Sequence, residues 1–130
     1  MKDKERYAHL LMLADDAVCC VLQPQAHDFK IDSQYNGHVA AFGVSIVMSG
    51  VMPTLAYFNN STNETQTVLR LFSKMVVADG FPVPDEDFST AENLYATAAR
   101  MSYDRLDNFR REILECSVAL KQVIRTYKLV

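Results

Sequence analysis

The sequence predicts an all-α fold, a single compact bundle of five or six helices formed by residues 1–130, and three observations carry that reading. Apolar residues recur at steps of three and four along most of the chain, the spacing that lines one face of a helix, and no stretch alternates apolar and polar residues as a half-buried strand does. From Ser33 to Asn63 there is no Asp, Glu, Lys or Arg, and between Val39 and Phe58 the passage VAAFGVSIVMSGVMPTLAYF is interrupted only by small residues and Pro53. A chain of 130 residues is one ordinary domain, large enough to bury a core without disulfides or metal.

The elements follow in order. Tyr7, Leu10, Leu11, Ala14, Ala17, Val18, Val21 and Leu22 form the stripe of a first amphipathic helix, which Pro24 stops. Gln23 to Gly37 reads as a loop. The uncharged passage supplies two helices, Gly50 closing one and Pro53 lying in the first turn of the next; both are apolar on most faces and are expected at the centre of the bundle. NNSTN ends them, and Ser61 followed by Glu64 marks a capping box for a helix carrying Val68, Leu69, Leu71, Phe72, Met75 and Val76. That helix stops at Asp79-Gly80. FPVPDED is a rigid acidic loop. Ser89 with Glu92 repeats the capping box before a stripe of Leu94, Tyr95, Ala98, Met101, Leu106, Phe109, Ile113, Cys116, Leu120, Ile124 and Tyr127. The five-residue step from Met101 to Leu106 predicts a kink or break near Ser102 to Asp104.

The apolar passage is about 20 residues long, enough to cross a bilayer as a helix. Gly43, Ser45, Ser49, Gly50, Pro53 and Thr54 interrupt it, and no Lys or Arg flanks it to orient a span, so it is assigned to a soluble core. MKDKERYAHL mixes acids and bases, unlike a signal peptide, and the expected location is cytoplasmic. Cys19, Cys20 and Cys116 form neither a disulfide framework nor a C-x-x-C motif, and are expected to be small buried hydrophobes. Asn59, Asn60 and Asn63 each open an N-x-S/T sequon, which in such a chain marks only a polar loop.

Catalysis finds little support. His9, His27 and His38 are far apart and none stands in a metal-ligand spacing; no cofactor and no metal are expected. Adjacent Asp15 and Asp16 point to different sides of a helix, and Asp85, Glu86 and Asp87 precede a helix start, where negative charge is favourable in any case. There is no phosphate-cradling glycine loop and no nucleophile elbow. The chain reads as a non-enzyme.

Binding is the remaining chemistry. The net charge of −3 does not suit a free-standing nucleic-acid protein, but its distribution is uneven. Asp79 to Asp87 holds four acids and no base, whereas the last stretch carries Arg110, Arg111, Lys121, Arg125 and Lys128 against Glu112 and Glu115. Arg110, Lys121, Arg125 and Lys128 follow one another by eleven, four and three residues, so a continuous helix gathers them along one side. Arg70 and Lys74 on the preceding amphipathic helix join them as candidate RNA-binding residues. Such a side meets phosphates without reading sequence. The competing reading is an ordinary solvated helix face.

The segment YNGHVAAFGVSIVMSGVMPTLAYFNNS resembles the central region of the small helical subunit of type III-B CRISPR Cmr complexes. There an aromatic-led helix ends at a Gly and a short apolar helix follows; here these are Tyr35, the helix through Met48, Gly50, and Leu55-Ala56-Tyr57-Phe58. Arg111-Glu112-Ile113-Leu114 followed by Ala119-Leu120-Lys121 is similar to the family's C-terminal helix. Ala119 stands where the family tends to carry Trp, Gln122 where it carries Arg, and Val47-Met48 where it carries a polar or basic pair. The resemblance implies a non-catalytic subunit of an RNA-guided antiviral effector, stacked in several copies beside other Cmr subunits and helping to seat guide and target RNA, with no membrane contact. The alternative is a homo-oligomeric helical adaptor that binds proteins and no nucleic acid.

Overall fold

The computed structural model describes residues 3–130 and contains six α-helices and one short strand pair among them. Helix α1 (Lys4–Val21) starts at Asp3, whose carboxylate accepts the Glu5 and Arg6 N–H groups, and stops ahead of Pro24. A 3₁₀ turn (Pro24–His27) and strand β1 (Lys30–Ile31) follow. Helix α2 (Ser33–Ser49) begins inside the segment expected to be loop, because the Asp32 carboxylate accepts the Gln34 N–H and caps it there. Gly50 adopts φ +92°, separating α2 from α3 (Val51–Asn60), and Pro53 lies in the first turn of α3.

Helix α4 (Asn63–Ala78) is capped one residue later than the sequence pattern suggested. Thr62 and Thr65 exchange side-chain-to-backbone bonds, Thr62 Oγ1 accepting from Thr65 N at 3.2 Å and Thr65 Oγ1 from Thr62 N at 2.9 Å, so Ser61 and Glu64 are not the box. The same one-residue offset recurs at α5 (Ala91–Ala99), where Thr90 rather than Ser89 accepts the Asn93 N–H. The expected break falls at Arg100 to Ser102, and Ser102 caps α6 (Tyr103–Ile124). Past α6, strand β2 (Lys128–Leu129) pairs in parallel with β1, Lys30 opposite Lys128 and Ile31 opposite Leu129. Two-residue strands are too short to show a period in sequence.

The most enclosed helix is α4, which touches α1, α2, α3, α5 and α6 and has Val68, Leu69, Leu71, Phe72, Met75 and Val76 all at 0 % exposure. Each side chain of this size withdrawn from water contributes about 2 kcal/mol. The Val39 to Phe58 passage is therefore only partly central. It buries Val39, Phe42, Ile46, Val51, Leu55 and Phe58, but α2 packs on α3, α4 and α6 with one side alone, leaving Val44, Val47 and Met48 63 %, 64 % and 79 % exposed. Phe42 stacks on Phe72 at 4.3 Å and meets Phe58 edge-on at 5.1 Å, tying α2, α3 and α4 together. Where α2 crosses α6, a Cβ on Gly43 would stand 3.2 Å from Ser117 Oγ, so the glycine permits the close approach.

The acidic loop is held against α6 by aromatic packing and by Arg105. Phe88 stacks on Phe109 at 5.2 Å, Phe81 lies 5.7 Å from Phe109, and the Arg105 guanidinium sits 3.9 Å over the Phe81 ring. Arg105 also donates to the Phe81 carbonyl at 2.7 Å and to both Glu86 oxygens, at 2.9 and 2.6 Å. That pairing holds the Glu86 carboxyl below its ordinary range. No helix among the described residues is long and apolar enough to cross a membrane.

Candidate nucleic-acid interface

The six candidate cations do not share one helix side. Helix α6 ends at Ile124, so Arg125 is its cap and Lys128 belongs to β2 instead of continuing the spiral. Lys121 and Arg125 come together at one end of a groove of about 470 Å³ between α2 and α6, whose walls include Val44, Val47, Met48 and Val118. Arg125 Nε reaches Asn36 Oδ1 at 3.4 Å, and neither Lys121 nor Arg125 is paired with an acid among the described residues. Arg110 lies three turns back along α6, about 16 Å from Lys121, and its Nε is 3.5 Å from Asp107. Asp107 also takes Arg111 at 2.9 Å, so one carboxylate is shared between the two guanidiniums.

Arg70 and Lys74 occupy a different valley. They stand one turn apart on α4 and face α1 across a cleft of about 820 Å³ that also contains Asp16, Cys20 and Ser73. Arg70 donates to Thr67 Oγ1 at 2.9 Å and borders a further cleft lined by His27, Lys30, Asp32, Tyr35 and Val130. Sequence reading passed over Lys30. The β1–β2 pair sets it directly against Lys128, and both are exposed. Nothing local in the sequence signals a partnership between residues so far apart.

The densest charge cluster is structural. Arg6 of α1 reaches Asp79 at 2.7 Å, Glu112 at 3.1 Å and Glu115 at 3.5 Å, and His9 Nε2 lies 3.3 Å from Asp79, so one guanidinium ties α1 to the end of α4 and to α6. Glu112 is 7 % exposed. Burial, together with the adjacent Asp79 carboxylate, raises its pKa to about 8. Burial opposes charge on Asp79 as well, but hydrogen bonds from Arg6 and from Glu112 hold its carboxyl below the ordinary range. The pair therefore keeps one proton near neutrality, on Glu112. Cys116 donates to Glu112 Oε2 at 3.7 Å, and burial pushes its thiol up. Of the three cysteines only Cys116 is the buried hydrophobe expected; Cys19 is half-buried and Cys20 exposed, because α1 turns their side of the helix outward. No group of three or more potential ligands stands close enough to hold a metal among the described residues.

Comparison with known proteins then identifies the chain. No curated protein and no solved structure matches it. A family model described as CRISPR-associated protein (Cas_Cmr5) matches residues 12–127, from the middle of α1 to the turn before β2, and so takes in most of the residues lining the α2–α6 groove and the two clefts beside Arg70. The chain belongs to the Cas_Cmr5 family, the small subunits of CRISPR Cmr complexes.

Proposed function

We propose that this chain is a non-catalytic subunit of a type III-B Cmr effector that packs between neighbouring subunits, further copies of itself among them, and lends phosphate contacts to guide or target RNA in antiviral defence. The observation that carries this reading is the α2–α6 groove. Its walls hold exposed Val44, Val47, Met48 and Val118, and unpaired Lys121 and Arg125 close one end. Exposed apolar surface of this kind is what a subunit boundary covers, and two cations at its edge suit a nucleic-acid backbone running past it. Weak contacts repeated over several copies add up without any copy being strongly basic. Lys128 follows Arg125 by three residues and lies opposite Lys30 across the β1–β2 pair.

Replacing Lys121 and Arg125 together with Ala in the assembled complex tests the RNA part. Target-RNA affinity should fall about equally for all sequences, and the salt dependence should flatten by roughly one unit of slope per lost phosphate contact. Unchanged affinity and unchanged slope would remove RNA from this face. The adaptor alternative draws on the same exposed apolar residues: it requires Met48→Asp to abolish assembly while the double Ala variant leaves every property of the complex intact.

A further inference from the structure

Among the described residues, Gln23, Asp28 and Phe29 are the non-glycine residues with positive φ, at 49°, 57° and 60°. The left-handed region disfavours any residue bearing a Cβ, and Asn, Asp and His, more than a bulky aromatic, are the ones that enter it. Phe29 stays there because its backbone is pinned at both ends, its N–H donating to the Pro24 carbonyl at 2.8 Å and its carbonyl accepting from Lys128 N–H at 3.3 Å. The strain secures no burial: the side chain is 59 % exposed. Directly beside it the parallel pair sets Lys30 against Lys128, two like charges whose juxtaposition is itself unfavourable. A strained, exposed aromatic ring next to two cations is costly to the free protein and suits a ligand that combines a flat ring with negative charge.

We propose that Phe29 is a stacking platform for one base of single-stranded RNA, with Lys30 and Lys128 taking the adjacent phosphates. Base-on-aromatic stacking flanked by cations binds single strands without demanding a sequence. The site rests on the RNA role proposed above but adds a contact of another kind, to a base, on a different element from Lys121 and Arg125. Asp28 and Asp32 flank Lys30, and Arg70 lines the same cleft as Lys30 and Asp32, so with Lys128 included three cations face two acids here.

The chain contains no Trp, which makes Phe29→Trp a single-tryptophan reporter in the full chain, excited apart from the six tyrosines. Titration with oligouridylate or oligoadenylate should quench its emission saturably, while inorganic polyphosphate should bind without quenching. Lys30→Gln with Lys128→Gln should weaken the quench titration, and Phe29→Leu should weaken RNA binding roughly ten-fold where Phe29→Trp preserves it. Phe29→Gly separates function from structure: relief of the positive-φ strain should raise the melting temperature while RNA binding falls. Indole emission from the Phe29→Trp variant that is insensitive to RNA would overturn the proposal, even if Lys121 and Arg125 prove to contact RNA. So would emission that responds only to other Cmr subunits, or a Phe29→Gly variant that melts lower than the parent and binds RNA normally.

Discussion

Glu112→Gln should make the protein more stable in alkaline solution. Glu112 carries a proton that it shares with Asp79, and Gln reproduces that protonated shape, with an N–H₂ to donate to Asp79 and an oxygen to accept from Arg6. In the unfolded chain the Glu112 carboxyl ionises at its ordinary value of 4.5, whereas in the folded chain it ionises at about 8. The folded state thus holds the extra proton between those values. This contribution is fully present below the lower one and is lost as pH rises through the upper one. At about 1.4 kcal/mol per unit the shift sets a ceiling of roughly 5 kcal/mol on that loss, the opposing pull of Arg6 being already contained in the shift. Asp79 acts in the opposite direction. Its depressed value contributes stability that is present above its unfolded value and is lost only as pH falls through the folded one, well clear of this window. Urea unfolding of both proteins from about pH 5 to pH 9 supplies the measurement. The parent should lose stability towards the alkaline end and the variant should not. Parallel pH profiles would refute the shared proton.

Leu55 is 0 % exposed, so Leu55→Asp buries an unpaired carboxylate at a cost of about 5 kcal/mol or more, comparable with the whole stability; circular dichroism should show an unfolded chain, and a native spectrum would contradict the assigned core. Gly50 holds φ +92° with open space around its would-be Cβ, so Gly50→Ala should cost about 1–3 kcal/mol from backbone strain alone, read as a lower urea midpoint with an unchanged slope. The purified chain should leave RNA and DNA intact with any divalent cation. Cleavage that disappears when Asp85, Glu86 and Asp87 are replaced would reverse the non-catalytic reading.

What was legible in the sequence was whatever depends on near neighbours. Helix α1 and its stop at Pro24, the Gly50 division, the end of α4 at Asp79-Gly80 and the break before α6 are all set by periodicity and turn chemistry within a few residues. The cap at α4 slipped by one because Ser61 and Thr62 both offer a hydroxyl, and only the extended backbone at Thr62 decides between them. Placing α2 wholly inside the core failed for another reason: an apolar helix does not say how many neighbours it has, and α2 has them on one side. The basic face failed at its far end, since spacing counts as helical geometry only while the helix lasts, and α6 stops before Lys128. Lys30 and the Arg6 cluster lay beyond reach altogether, because each joins segments that the chain separates widely.

Helix α6 has 22 residues and so spans about 33 Å, with the Arg105-braced acidic loop at its first turn and Arg125, Lys128 and Lys30 gathered beyond its last. The two clusters are therefore separated by several times the screening length of about 8 Å in physiological salt. A charged ligand held at one end of α6 does not feel the charges at the other, so substitutions in the acidic loop should leave its affinity for the Lys30, Arg125 and Lys128 end unchanged at that ionic strength. Only at about 0.01 M salt, where the screening length grows to about 30 Å, should the two ends begin to influence one another.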